Sequence, residues 1–156
     1  MIEATFRPAT SEDVDALLAL QAAYYADDGY PFVEDDARRC WQRLLSDPTL
    51  GRAWVADTHP GVAGYVVVTL GYSLEYRGRD ASVDEIYVAP SYRGQGLGRR
   101  ALSLAEGACA DLGVQALHIE VEPGKETARR LYGRLGFVSM QRILMTKRLT
   151  QAEPGG

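Results

Sequence analysis

Three glycines at alternate positions, Gly94, Gly96 and Gly98, stand between a strand-like run and a helix-like one. Ser82 to Val88 is rich in β-branched and aromatic residues. Leu97, Ala101, Leu104, Ala105, Ala108 and Leu112 follow the glycines at helical spacing. Glycine permits a tight turn and a close backbone approach to a ligand. The start of a helix offers unpaired N–H groups and the positive end of a dipole. With Arg93, Arg99 and Arg100 beside it, this unit reads as a seat for phosphate or pyrophosphate.

The rest of the chain sets that unit in a sheet. Residues 2–8 read as a short strand. Thr10 reads as an N-cap with Asp13 as its capping-box partner, opening a helix over 11–26 whose apolar stripe only Gln21 breaks. Asp27 to Pro31 ends it. A second helix is expected over 34–46, with Ala37, Cys40, Trp41, Leu44 and Leu45 on one face. Residues 52–57 and 62–72 read as a hairpin around His59-Pro60-Gly61. A polar turn from Glu75 to Asp80 leads to the strand 82–88. The helix 97–112 follows, capped by Gly113, then a strand 114–121 and a helix 126–135 capped by Gly136. Residues 137–149 are expected to give a last strand or two. The order β-α-α-β-β-β-α-β-α-β implies α/β or α+β architecture in one domain over 1–150, with 151–156 a frayed tail. Hairpins force antiparallel pairs and strand–helix–strand units force parallel ones, so the sheet is mixed.

Charge and cysteine usage exclude several classes of partner. Seventeen basic against 21 acidic residues give a net charge of −4, which argues against a nucleic-acid binder. The longest apolar run, Val62 to Leu70, is far short of the ~20 residues a bilayer span needs. The first residues lack the layout of a signal peptide, so a cytoplasmic location and no membrane partner are expected. Cys40 and Cys109 read as reduced core thiols, and no spacing supports a metal site.

Two other phosphate motifs compete for the loop. A Walker loop would need Gly-Lys-Ser/Thr where Gly98-Arg99-Arg100 stands. A dinucleotide fingerprint fits only the frame Gly96, Gly98 and Ala101, with Glu120 downstream, and would make the protein an NAD-binding oxidoreductase. Against it, Ala89 to Arg93 separate the strand from the first glycine.

Arg93-Gly-Gln-Gly-Leu-Gly98 resembles the Arg/Gln-x-x-Gly-x-Gly/Ala signature of the GNAT superfamily of acyl-CoA N-acetyltransferases. The strand Ile86-Tyr-Val88, the Ala-Pro-Ser-Tyr before the loop and Ala128 to Phe137 are similar to that family too. The resemblance implies a single-domain fold with a central mixed, mostly antiparallel sheet flanked by helices on both faces. It implies acetyl-CoA as co-substrate, with no metal. Backbone N–H groups of Arg93, Gly94, Gln95, Gly96, Leu97, Gly98 and Arg99 would bind the coenzyme pyrophosphate. The strand backbone at Ile86, Tyr87 and Val88 would pair with the pantetheine arm. Tyr132 matches the family tyrosine that protonates the leaving thiolate. Lys125 stands where the family commonly has a coenzyme-contacting asparagine, and either reaches a phosphate or is solvated.

The attacking amine must lose a proton, since alkylamines have pKa values near 10.4. Asp84 and Glu85 are the candidate bases, with Glu75 in the preceding turn a third. In a regular strand Asp84 shares a face with Ile86 and Val88, and Glu85 with Val83 and Tyr87. The resemblance places the acceptor under Tyr24 to Asp36, whose aromatics and acids suit a small cationic amine such as a polyamine, amino sugar or amino acid. The family's frequent dimerisation leaves a homodimer open. A non-catalytic acyl-CoA binding module is the rival that shares the loop.

Overall fold

The computed structural model describes residues 3–150. The expected tail at 151–156 and the first residue of the expected strand 2–8 lie outside them. The chain divides into two compact units, one ending at Val121 and the other beginning at Glu122.

The first unit is built on a five-stranded sheet in the order β1 (Thr5–Pro8), β2 (Gly51–Asp57), β3 (Val62–Ser73), β4 (Gly78–Val88), β5 (Ala116–Ile119). The first four strands pair antiparallel, and β5 pairs parallel to β4. A parallel neighbour needs a crossover, which α3 (Leu97–Asp111) provides. The helices α1 (Val14–Asp28) and α2 (Glu34–Ser46) form the connection from β1 to β2. The second unit carries α4 (Glu126–Arg134).

Helix ends follow the local chemistry read from the sequence. Thr10 N–H donates to Asp13 Oδ2 at 2.7 Å, the reciprocal arm of the capping box. Gly113 and Gly136 adopt left-handed φ values of +76° and +95° after α3 and α4. Val114 N–H then reaches Cys109 C=O, and Phe137 N–H reaches Tyr132 C=O, each at 3.0 Å. Those are Schellman closures, which only a residue tolerant of positive φ makes cheaply.

Asp13 also takes both arms of Arg7 at 2.9 Å, while Arg7 Nε donates to Asp57 at 2.8 Å. The Arg7 hydrogen bonds hold the Asp13 carboxyl below its ordinary value of 3.8, against the opposing effect of burial. A depressed carboxyl contributes stability that is present above the ordinary pKa and is lost as pH falls toward the folded one. Asp13→Asn is therefore expected to melt lower at neutral pH and to show a shallower loss of melting temperature on acidification, read by thermal scans across the acid range.

Consecutive β residues face opposite sides of a sheet, and the two faces are buried by different helices. Val55, Tyr65, Val67 and Tyr87 pack with Val14, Leu17 and Leu18 of α1 and Trp41 of α2. Ala56 and Ala63 pack with Leu97 at the start of α3. Fully burying a side chain of Leu17's size contributes about 1.5–3 kcal/mol, so the α1 face is the main anchor for the helices above the sheet.

The β4 strand is not regular. Val67 lies opposite Glu85, but Val68 lies opposite Val83, so Asp84 is an extra residue in a bulge. Residues paired across strands share a face. Glu85 therefore faces with Val67 and Tyr87, whereas Val83 faces with Val68 on the other side. The expected grouping of Glu85 with Val83 is corrected by that one inserted residue.

Two further expectations are corrected. Cys40 is exposed on α2, and only Cys109 is buried. The helical stripe is wide enough to include position 40, but the packed side of α2 centres on Trp41. Residues 137–149 carry no strand. Apolar residues such as Phe137, Val138 and Ile143 suit a strand, but a strand exists only where a neighbour supplies its ladder of hydrogen bonds.

Candidate active site

The glycine loop enters α3 from a 3-10 turn, Pro90–Tyr92. Gly94 and Gly96 have left-handed φ values of +78° and +79°, which side chains with a Cβ rarely adopt. Leu97 is buried against Ala4, Ala56 and Ala63 and pins the start of α3 to the sheet. A Cβ at Gly94, Gly96 or Gly98 would meet no atom within 4 Å. Gly98 has no positive φ either, so neither packing nor backbone conformation requires glycine there. An open concave backbone at a helix N-terminus is what close approach by a phosphate requires.

The arginines are placed differently from one another. Arg93 Nε donates to Val88 C=O at 2.8 Å, and its guanidinium lies 5.4 Å from the Tyr87 ring centre. Arg100 turns away to donate to Ala4 C=O at 2.8 Å and to cover Phe6. Arg99 and Gln95 are exposed.

The strand before the loop has a two-part edge. The β5 ladder covers β4 from Asp80 to Val83, and beyond Val83 β4 pairs only with β3. Ile86, Tyr87 and Val88 thus lie on the stretch of β4 that β5 leaves uncovered. An uncovered strand edge is a template for an amide-bearing chain, with the Val88 carbonyl already engaged by Arg93.

On the α1 side of that stretch sits the carboxylate of Glu85. Tyr65 Oη donates to its Oε1 at 2.7 Å, and Tyr25 Oη donates to its Oε2. Gln21 Nε2 lies 3.3 Å from both oxygens and 3.2 Å from the Tyr25 hydroxyl. The amide orientation of Gln21 is fixed by Trp41, whose indole can only donate and does so to Gln21 Oε1 at 2.8 Å. Burial raises the Glu85 carboxyl above its ordinary value, with Asp84 adding to the rise, although the hydrogen bonds from Tyr25, Tyr65 and Gln21 pull the other way. Burial also keeps Tyr25 and Tyr65 protonated, with Glu85 adding to it, so both remain donors.

An aromatic wall adjoins this carboxylate. Tyr24 stacks on Tyr87 with ring centres 5.5 Å apart. Tyr25 meets Tyr24, Tyr30 and Phe32 edge-on at 5.3, 5.7 and 5.8 Å. The acids of the same segment have a different neighbourhood. Glu34, Asp35 and Asp36 fill the first turn of α2, where carboxylates offset the helix dipole.

The three candidate bases are thus separated. Glu85 is enclosed among hydrogen-bond donors. Asp84 stands exposed on the bulge; nearby protein raises its carboxyl by desolvation, but its exposure leaves water to screen it. Glu75 lies in the turn that joins β3 to β4. Six residues of β3 separate the end of that hairpin from the Glu85 pair, about 20 Å at strand rise. Tyr132 and Lys125 belong to the second unit. Tyr132 is partly buried, its ring 6.1 Å from Phe137, and desolvation raises its phenol so that it holds its proton. Lys125 is the N-cap residue of α4.

Gln21 was the residue that sequence reasoning undervalued. Its signal was present as the single polar position in the apolar stripe of α1, and a buried amide requires partners.

The comparisons with known proteins agree with this architecture. The model of the acetyltransferase (GNAT) family matches residues 14–137. The chain belongs to the GNAT family. It is 35% identical over 77 residues to the thialysine N-epsilon-acetyltransferase of Bos taurus, which covers 49% of this chain and 45% of that protein. The chain spans less than half the length of the curated relatives it matches. Among solved structures it is similar to an integron cassette protein from the mobile metagenome of Cole Harbour Salt Marsh. That likeness has a TM-score of 0.85 and 37% identity, over 94% of this chain and 91% of that one. It also shares its fold with a predicted acetyltransferase of Clostridium acetobutylicum crystallised with acetyl-CoA, at TM-score 0.79 and 16% identity, over 92% and 96% of the two chains.

The dinucleotide reading of the loop does not survive the fold. It needs a strand running straight into a tight turn within a mostly parallel sheet. Here a 3-10 turn intervenes and, among the described residues, only one of the four strand pairs is parallel. Among the described residues no helix is long and apolar enough to cross a membrane, and no cluster of three or more His, Cys, Asp or Glu is placed to hold a metal.

Proposed function

We propose that this GNAT-family protein transfers the acetyl group of acetyl-CoA to a small cationic primary amine by direct attack. One observation carries the reading. Between residues 85 and 98 a single strand–loop–helix unit presents a desolvated carboxylate, an uncovered backbone edge and an open glycine cradle at a helix N-terminus. The co-substrate supplies a thioester, an acyl group already activated for transfer. Backbone N–H groups from Gly94 to Arg99 hold its pyrophosphate. The β4 edge at Ile86 to Val88 receives its amide arm and helps to steady the oxyanion. Glu85 accepts the proton of the amine. The match of Tyr132 to the family tyrosine supports it as the donor to the departing sulfur.

The acceptor class rests on the aromatic wall beside a carboxylate, an environment that favours an ammonium group through charge and ring quadrupole together. A non-catalytic acyl-CoA binding module would use the same loop but would not need four hydrogen-bond contacts trained on one half-buried acid.

Calorimetric titration with acetyl-CoA, using NAD as control, tests the loop. Free-thiol release from acetyl-CoA in the presence of spermidine, glucosamine or lysine then tests the reaction. Binding of acetyl-CoA alone and thiol release with at least one amine are expected. Binding without release from any of the three would favour the binding module, and NAD binding in place of acetyl-CoA would overturn the assignment.

A further inference from the structure

An ionised carboxylate has about four lone-pair sites for hydrogen bonds. In Glu85 three donors cover both oxygens. Oε1 accepts from Tyr65 and Oε2 from Tyr25, and one N–H of Gln21, 3.3 Å from each oxygen, is shared between them while its other N–H goes to Tyr25 Oη. An amine approaching the partly exposed acid directly would have to compete with one of these donors. Two of the three donors are out of reach: Tyr65 is 1% exposed and Gln21 8%. Tyr25 alone is partly exposed. Its hydroxyl donates to Glu85 and accepts from Gln21, which leaves one lone pair without a partner in that set. Its ring stands among Tyr24, Tyr30 and Phe32, the wall assigned to the acceptor.

We propose that Tyr25 is a catalytic residue, the port through which the proton of the attacking amine passes to Glu85. The inference rests on Glu85 being the base of the proposed reaction. An N–H bond of the ammonium breaks and its proton joins the free lone pair of Tyr25 Oη. The original Tyr25 O–H bond breaks in the same event, and that proton joins Glu85 Oε2. The tyrosine ends neutral, the amine neutral and the acid protonated. No tyrosinate is formed, so the upward shift of the phenol by burial does not hinder the transfer. Gln21, held by Trp41, is a positioning residue that keeps the Tyr25 oxygen turned toward the carboxylate. The titratable groups around the pair are Tyr24 on α1, Tyr30 in the connection to α2, Tyr65 on β3, and Asp84 and Tyr87 on β4.

The test compares full-length wild type, Tyr25→Phe and Glu85→Gln across the pH range, using the fastest amine of spermidine, glucosamine and lysine. Melting temperature and acetyl-CoA titration verify that each variant folds and binds. A relay predicts that Tyr25→Phe lowers the plateau rate at high pH by about tenfold or more, since positioned proton transfer is worth about 10²–10⁴-fold. A residue that merely tunes Glu85 behaves differently. Loss of its hydrogen bond raises the acid limb of the profile, and the plateau then recovers to the wild-type rate. That outcome overturns the relay. So does an unchanged Tyr25→Phe beside an inactive Glu85→Gln, which leaves Glu85 as a base reached by another path. A slow Tyr25→Phe beside an unimpaired Glu85→Gln overturns it as well. Two unimpaired variants, or no thiol release with any amine, overturn the reading on which the relay rests.

Discussion

Glu85→Gln is expected to lower the rate of acetyl transfer by about 10²-fold or more while acetyl-CoA binding stays unchanged, because a positioned general base contributes about 10²–10⁴-fold. The substitution keeps the size of the side chain but offers one carbonyl oxygen where Tyr65 and Tyr25 now donate to two, so one of those hydroxyls must turn to accept from the new NH2. It removes the capacity to take a proton. The pH profile carries the same information. Glu85 must be ionised to act, and burial raises its carboxyl. Wild-type activity should therefore rise with pH along a limb above the ordinary carboxyl value of 4.5, and the variant should lack that limb. Stability runs in the opposite sense. A carboxyl raised on folding contributes most below its unfolded pKa, and that contribution is lost as pH rises through the folded one. Glutamine at this site is thus not expected to lower the melting temperature at neutral pH through loss of charge. Thiol-release kinetics over a pH series, with calorimetry on the same samples, check both halves of the expectation. An unchanged rate would move the base to Asp84 or to water.

Gly96→Val is expected to weaken acetyl-CoA binding strongly while straining the loop without adding an internal clash. The φ of +79° at this position places a side chain in a region that costs about 1–2 kcal/mol for residues with a Cβ, and more for a β-branched one. Open space around the position means that no internal clash is added. The outside is where the loss falls. A branched side chain would stand over the backbone N–H groups of the helix start, and each charge-assisted hydrogen bond lost is worth about 1.5–3 kcal/mol. Affinity should fall at least about tenfold for every contact blocked, at about 1.4 kcal/mol per decade. Gly107→Ala is the matched control. Gly107 sits inside α3 with the same open surroundings and no positive φ. Alanine there should leave binding intact and raise stability by about 0.5–1 kcal/mol. Titration of both variants with acetyl-CoA separates a ligand-facing glycine from a merely helical one.

The glycine loop and most element boundaries were legible because their causes are local. Gly96 and Gly113 are needed where φ is positive, Asp13 where a helix start lacks a partner, and α2 was placed at its observed limits by apolar spacing alone. The carboxylate proposed as the base was only half legible. Asp84 and Glu85 are adjacent and chemically alike, and the difference between them comes from Gln21, Tyr25 and Tyr65. Those residues lie about 20 to 64 positions away in the sequence. Nothing in a strand's own residues tells which neighbour will enclose it. Residues 137–149 failed for the converse reason, since an apolar segment cannot supply its own ladder partner. Cys40 failed because the width of a buried helical face depends on what packs there, and Trp41 takes the contact.

The bulge at Asp84 works as a phase shift of one residue. On its early side β4 keeps step with the buried sheet: Ala81 and Val83 are packed, and β5 reads the same stretch of backbone. On its late side the strand is in the other phase, and the phase carries Glu85 onto the α1 face beside Tyr87. Without the extra residue the two halves could not both be satisfied, because a slip of one position turns every side chain to the opposite face. The length of the chain at this point, more than the identity of the residue that adds it, lets one strand belong to the core at one end and to the proposed site at the other.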